Sequence, residues 1–284
     1  MNDNIIVIYH GNCADGFTAA WLVNLFHSKR GVPDDWVIAH HAATYNEDPP
    51  DVLGRTVYIV DFSYHPAAMR HICEQAEAVI WIDHHASAID AMTGFTHPKL
   101  RQHTSIERSG AYLTSTYLWP HCDPQDLVRL VDDRDRWVFQ YPETKAFHAG
   151  LFSRPYKIGE WNKVAHDCAA IAAEGEGILR KHWKDIRELL DVMTEHRNIA
   201  GTTVPVANLA YTSASDACHE LLERNPDAPF AACWFKRKDG KMVFSLRSRN
   251  GSDVDVSRIA KTFGGGGHKH AAGFAVVEWP GVDA

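Results

Sequence analysis

The sequence predicts an α/β fold, with a doubly wound, mainly parallel N-terminal sheet joined by a helix to a smaller α/β domain containing a mixed sheet. Three observations carry that prediction. Residues 4–9, 56–60 and 78–82 are apolar runs of the length that buried parallel strands need. Residues 16–26 and 66–76, lying between them, have helical apolar spacing, so strands and helices alternate. Far along the chain, residues 230–235 and 242–249 flank Lys238-Asp239-Gly240-Lys241, a hairpin signal foreign to a purely parallel sheet.

Taken in order, the first strand-like run ends on His10, followed by Gly11-Asn12-Cys13-Ala14-Asp15-Gly16. The helix at 16–26 begins beside Asp15, and its first amides would suit phosphate oxygens. A short strand at 36–39 leads to His40-His41, read as edge-of-sheet surface histidines, and Pro49-Pro50 mark a loop over 46–53. The run at 56–60 stops on Asp61-Phe62-Ser63, and Pro66 opens a helix where its missing N–H costs little. The run at 78–82 stops on Asp83-His84-His85.

Open α/β sheets bind ligands at the carboxyl ends of their strands. One pocket should therefore collect His10, Asp15, Asp61, Asp83, His84 and His85. Mixed nitrogen and carboxylate donors suit manganese, with Zn2+, Fe2+ and Co2+ as other fits. Several carboxylates in one place allow two ions to share it.

Further on, a helix at 109–119 is entered through Ser109-Gly110. Pro124 opens another over 125–131, which runs into Asp132-Asp133-Arg134-Asp135-Arg136-Trp137. Acids gathered at a helix carboxyl end repel its negative pole, and a bound cation would relieve them. The longest helical stretch is 161–198, interrupted by Gly175 and Gly177, with Ile178, His182, Ile186, Leu189, Leu190 and Met193 along one buried face. It divides the chain into a first domain at 1–160, a connecting segment at 161–200 and a second domain at 201–284. That last part reads as a strand at 202–210, a helix at 215–224, the hairpin and an amphipathic helix at 254–263. Arg247 and Arg249 share one face of the second hairpin strand. Gly264-Gly265-Gly266-Gly267-His268-Lys269-His270 then implies unusual dihedrals or a close approach, and exposed amides there could cradle an anion.

The totals narrow the function classes. At 284 residues, 45% hydrophobic and 23% charged, the chain can build two cored domains. A formal charge of −7 gives no general attraction to nucleic acid, so short phosphate-bearing substrates fit better than long duplexes. Six cysteines without a CxxC pair argue against a zinc ribbon or disulfide scaffold and for a reducing compartment. No apolar run approaches the roughly 18 residues of a membrane span, and no leader precedes the first strand. The expectation is a soluble cytoplasmic protein with no membrane or obligatory protein partner.

These motifs, spread from His10 to Phe274, resemble the DHH phosphoesterase superfamily with its accessory DHHA1 domain. Asp61-Phe62-Ser63-Tyr64, Asp83-His84-His85, Ser109-Gly110-Ala111-Tyr112-Leu113, Asp132 to Trp137 and the glycine-histidine segment carry the likeness. Within the superfamily the chain looks most like the nanoRNase B-type oligoribonuclease branch, also described as cyclic-nucleotide phosphodiesterases. The resemblance implies two manganese ions, with Mg2+, Co2+, Fe2+ or Zn2+ as substitutes. It makes His10, Asp15, Asp61, His84 and Asp133 ligands, with Asp61 bridging. Spacing to Trp137 favours Asp133 over Asp132 and Asp135. Asp83 would orient the ligands, His85 would face the phosphate, and Arg247, Gly265, Gly266, Gly267 and His268 would grip the substrate.

The implied activity is hydrolysis of short RNA from its 3′ end by a metal-activated hydroxide, in a cleft between the domains. Cyclic (di)nucleotide phosphodiesterase, pAp phosphatase, single-strand DNA exonuclease and exopolyphosphatase need the same parts. One departure stands out. The family's first motif has two acids in an Asp-x-Asp pattern, and here Cys13 stands where the first belongs. One metal site is then weaker, differently coordinated or empty, and a nucleotide- or RNA-binding module that has lost catalysis is the non-enzymatic alternative.

Overall fold

The computed structural model describes residues 5–29, 39–44 and 47–280. It divides into two compact units, Met1–Leu179 and Arg180–Ala284.

In the first unit, β1 (Ile5–His10), α1 (Ala14–Ser28), β2 (Ala39–Ala43), β3 (Thr56–Val60), α2 (Pro66–Gln75), β4 (Ala78–Asp83), α3 (Ala86–Ala91) and β5 (Leu100–Thr104) follow one another. The strands form one parallel sheet in the order β2-β1-β3-β4-β5. Most of the strand expected at 36–39 lies outside the described residues, while β2 itself carries His40 and His41 on the sheet edge.

Alternation along the strands sends Val7, Tyr9, Val60, Ile80 and Ile82 into one core and Ile6, Ile8, Val57, Ile59 and Trp81 into another. Each apolar face must be covered, which explains helices on both sides. The first core is closed by α1 and by α4 (Gly110–Leu118), α5 (Asp126–Asp135), α6 (Thr144–Phe152) and α7 (Ile158–His166). The second is closed by Met69, Ile72 and Cys73 of α2.

The helical stretch expected over 161–198 is three elements: α7, then α8 (Cys168–Met193), then the strand β6 (Thr194–Ile199). Gly175 and Gly177 do not interrupt α8. A Cβ at Gly175 would lie 1.7 Å from the Ala146 carbonyl oxygen, so this glycine lets α8 touch α6. At the other end, Ala200 and Gly201 both have positive φ, 52° and 83°. That is the backbone of a two-residue primed turn, and it folds β6 back on β7 (Thr202–Asn208).

The second unit continues with α9 (Ala214–Arg224), β8 (Ala231–Lys236), β9 (Met242–Arg247), α10 (Val256–Thr262), β10 (Gly266–His268) and β11 (Ala271–Val276). Its sheet runs β10-β11-β9-β8-β7-β6, antiparallel except between β7 and β8. The sheet is therefore mixed. Ile186, Leu190 and α9 cover one face, and Val256 and Ala260 of α10 cover the other. Among the described residues, no helix is long and apolar enough to cross a membrane.

Candidate metal centre

The strand order reverses between β1 and β3, and such a switch point opens a crevice at the strands' carboxyl ends. β1 ends there on His10, β3 is followed by Asp61, and β4 ends on Asp83 with His84 and His85 next. Asp61 adopts φ 53°, a left-handed conformation uncommon for a residue with a side chain, while its amide still donates to the Ile82 carbonyl at 2.9 Å. Gly110 backs it. A Cβ there would sit 2.6 Å from Asp61 Cβ and 3.0 Å from Asp15 Oδ2, so only glycine lets α4 begin at this point.

Asp83 organises the turn that follows. Its Oδ1 accepts from the His84 amide at 2.7 Å, the His85 amide at 3.2 Å and His85 Nδ1 at 2.7 Å. The carboxylate fixes the proton on Nδ1 and leaves proton exchange to Nε2. Burial alone would lower the His85 pKa, but the charge and hydrogen bond of Asp83, with Asp61 behind, hold it above the ordinary histidine range.

Asp61 is 1% exposed, yet neither carboxylate oxygen accepts a hydrogen bond. Imidazoles surround it instead: His84 Nε2 at 3.1 Å, His10 Nδ1 at 3.7 Å and His85 Nδ1 at 3.8 Å. Burial would raise its pKa, but these three rings prevail and keep the carboxyl well below its usual range. His84 Nε2 also lies 3.6 Å from Asp135 Oδ2 and 3.8 Å from Asp15 Oδ2. Despite desolvation, those acids and Asp61 hold His84 well above its usual pKa. Asp15 moves the other way from Asp61, raised by burial and then by Asp61 and Asp135.

Anions so crowded ask for positive charge between them. Three sets of donor atoms lie within 4.8 Å of one another in this unit: His10, Cys13 and Asp61; Asp15, His84 and Asp135; and Asp61, Asp83 and His85. Asp61 joins the first and third sets and touches the second through His84. Buried carboxylate oxygens without hydrogen bonds, shared between neighbouring donor sets, fit divalent cations.

His10, Asp15, Asp61, Asp83, His84 and His85 are thus brought together as the sequence predicts. Asp133 is not. Its Oδ1 accepts from the Gln140 amide at 2.8 Å, and its Oδ2 from the Tyr141 amide at 3.2 Å and Thr144 Oγ1 at 2.5 Å, so it ties down the start of α6. Asp132 accepts from the Ser109 amide at 2.8 Å and from Arg108 Nη1 at 2.8 Å, anchoring the start of α4. Asp135 is the acid that reaches the cluster. The helix runs through all three, and at about 100° per residue Asp132 and Asp135, three apart, share one side while Asp133 points away from Asp135. Helical spacing was the available signal, and it separates Asp133 from Asp135 but not Asp132 from Asp135. Asp15 holds a second duty, accepting from the amides of Gly110 at 2.7 Å and Ala111 at 3.0 Å at the positive end of α4.

In the second unit, Arg247 Nη2 and Nε donate to Ser215 Oγ at 3.1 and 3.3 Å. The glycine segment is not an open loop. Gly266, Gly267 and His268 pair with β11, and a Cβ at Gly265 or Gly267 would lie 2.1 or 2.5 Å from a β11 carbonyl oxygen. Close strand packing therefore accounts for two of the four glycines.

A doubly wound unit with acids and imidazoles at its strand ends is followed by a smaller mixed-sheet unit, and that second unit belongs to the DHHA1 domain family. Residues 196–283 match the family model of the DHHA1 domain. The chain is 26% identical over 288 residues to an uncharacterised protein of Acanthamoeba polyphaga mimivirus, covering 95% of this chain and 67% of that one. Among solved structures it is similar to the pGpG-specific phosphodiesterase PggH of Vibrio cholerae, with TM-score 0.52 and 14% identity, over 96% of this chain and 93% of that one. It is also similar to RecJ of Thermus thermophilus in complex with Mn2+, with TM-score 0.54 and 18% identity, over 96% of this chain and 50% of that one.

Proposed function

We propose that the protein is a metal-dependent phosphodiesterase acting on short oligonucleotides, with manganese as an activating ion and short RNA as the preferred substrate. The observation that carries this reading is Asp61, buried without a hydrogen bond and shared between sets of imidazole and carboxylate donors. His10, Asp15, Asp61, His84 and Asp135 are the side chains that would hold the ions. A divalent cation there supplies electrostatic stabilisation of phosphoryl oxygens and lowers the pKa of water toward neutrality.

The chain's own groups do the rest. Asp83 fixes the ring of His85 and, with Asp61, raises its pKa, which favours the form carrying a proton on Nε2. That proton can be donated to a phosphoryl oxygen or to the departing alkoxide. Arg247 and the segment Gly265, Gly266, Gly267 and His268 are the substrate-binding set, with Arg247 suited to phosphate by its charge. A small DHHA1 domain favours short substrates, and the likeness to a pGpG-specific phosphodiesterase supports a dinucleotide-sized one.

The test is a manganese-supplemented hydrolysis panel comparing an RNA dinucleotide, a longer RNA, single-stranded DNA, a cyclic dinucleotide, pAp and polyphosphate. The RNA dinucleotide should be cleaved fastest. Preference for polyphosphate, or indifference to chain length, overturns the substrate assignment. Full metal-dependent turnover by Asp61→Ala overturns the assignment of the site.

A further inference from the structure

The three donor sets are chemically unequal. Asp15, His84 and Asp135 offer two carboxylates and one imidazole, whereas His10, Cys13 and Asp61 bring in a sulfur. Building on the metal centre proposed above, we propose that Cys13 is itself a cation ligand. The set His10, Cys13 and Asp61 would then form a soft site for Zn2+, Fe2+ or Co2+ beside an oxygen-rich site that prefers Mn2+ or Mg2+.

Several independent features point the same way. Cys13 is the residue before α1, and its carbonyl accepts the first helical hydrogen bond, from the Phe17 amide at 3.0 Å. That fixes the residue at the helix start, where its sulfur lies within 4.8 Å of donor atoms of His10 and Asp61. Asp61 faces the same point from β3, buried and without a hydrogen bond. His10 is held at the end of β1, 3.7 Å from Asp61 Oδ2. Three donors thus arrive from three elements: a strand end, a helix start and a left-handed residue after a second strand.

Donor chemistry then decides the ion. A thiolate is a poor partner for Mn2+ and Mg2+ and a good one for Zn2+, Co2+ and Fe2+. Thiolate, imidazole and carboxylate together make three protein ligands, which leaves room for water or a substrate oxygen in a four-coordinate site. On binding, the Cys13 thiol releases its proton to solvent and its sulfur forms the metal bond. The replaced acid would not be a defect. It would split one pair of like sites into two with different ion preferences.

Cobalt reports sulfur ligation directly. Metal-free protein titrated with Co2+ should develop a sulfur-to-cobalt charge-transfer band in the near ultraviolet, saturating at one equivalent. Cys13→Ser should lose the band, whereas Cys168→Ser, a half-buried cysteine outside the donor sets, should keep it. Cys13→Asp should move this site's zinc-over-manganese affinity ratio toward manganese by about tenfold or more. No band in the wild-type protein with cobalt bound overturns the proposal, and this reading needs no variant to fold. A band that survives in Cys13→Ser overturns it too. The spectrum does not measure turnover: a chain that binds cobalt through sulfur but hydrolyses nothing refutes only the phosphodiesterase reading. Turnover without a sulfur band refutes only the Cys13 ligand.

Discussion

Three aspartates within four positions have three unlike jobs, and substitution should separate them. Asp133→Ala leaves the Gln140 and Tyr141 amides and the Thr144 hydroxyl without their acceptor. Stranded buried donors cost ~1–3 kcal/mol each before relaxation, so an overall loss of about 2–4 kcal/mol is expected in denaturant unfolding. Metal affinity should hardly change in the fraction that stays folded. Asp135→Asn should do the reverse. Desolvation of its carboxylate and the charge of Asp61 raise its pKa, although His84 lowers it, so in the metal-free chain its charge adds little to stability at neutral pH. Removing that charge should leave the metal-free protein as stable as before or more so, while metal affinity falls at least about tenfold. Equal loss of metal affinity in the two variants, by calorimetric titration, would refute the division of labour. His85 makes a similar case: Asp83→Asn weakens the hold on Nδ1, and the basic limb of the pH–rate profile should shift to lower pH as the His85 pKa falls.

At the scale of elements, the site depends on glycines that let helices approach, and these set how much could be read from residues alone. The strands ending on His10, Asp61 and Asp83 were legible because apolar runs of parallel-strand length stop abruptly on polar groups. The hairpin across Asp239-Gly240 was legible for its turn chemistry, and β8 pairs with β9 there. By contrast, β6 escaped because Ala200-Gly201 is a weak signal for a primed turn and residues 194–199 continue a helical pattern. β5 escaped because Leu100-Arg101-Gln102-His103-Thr104 is an edge strand with little apolar pattern. Asp133 was favoured over Asp135 because spacing in the chain does not record where a helix face points. The start of α4 likewise cannot be seen from Ser109-Gly110 alone, since what makes Gly110 necessary is Asp61, distant in sequence. Gly110→Ala should therefore disturb chemistry more than folding. A methyl 2.6 Å from Asp61 Cβ must push that carboxylate or the helix aside, and displacement of a ligand by a fraction of an ångström is costly. Turnover should fall by about a hundredfold, with a stability loss of about 1–3 kcal/mol. Wild-type turnover in Gly110→Ala would remove α4 from the architecture of the site. Gly175→Ala, where the clash is with the Ala146 backbone away from the donor sets, should cost stability alone.

For the whole molecule, the metal centre makes one unit's stability conditional on ions. All the donors assigned to it lie in Met1–Leu179, on separate strands and helices. Without a cation, His84 Nε2 is set among Asp15, Asp61 and Asp135, and those carboxylates raise its pKa. A ligand that binds only the folded chain stabilises it by RT ln(1 + [L]/Kd), about 2.7 kcal/mol at a hundredfold excess over Kd. Adding Mn2+ to metal-free protein should raise the melting temperature by several degrees, and chelation should reverse it. The location of the effect is the sharper reading. Amide hydrogen exchange should slow where donors converge, over residues 10–16, 60–63, 82–86 and 109–112. These are strand ends and helix starts, and they open by local unfolding before the sheet does. β3 and β4 should already be protected near the global limit, since both lie inside the sheet, and should respond only as overall stability rises. Gains confined to residues 196–283 would place the cation in the DHHA1 domain and break the link between Asp61 and metal. Asp61→Asn should abolish the local gain while leaving the metal-free exchange pattern of β3 and β4 in place, because the Asp61 amide, not its carboxylate, continues the ladder to Ile82.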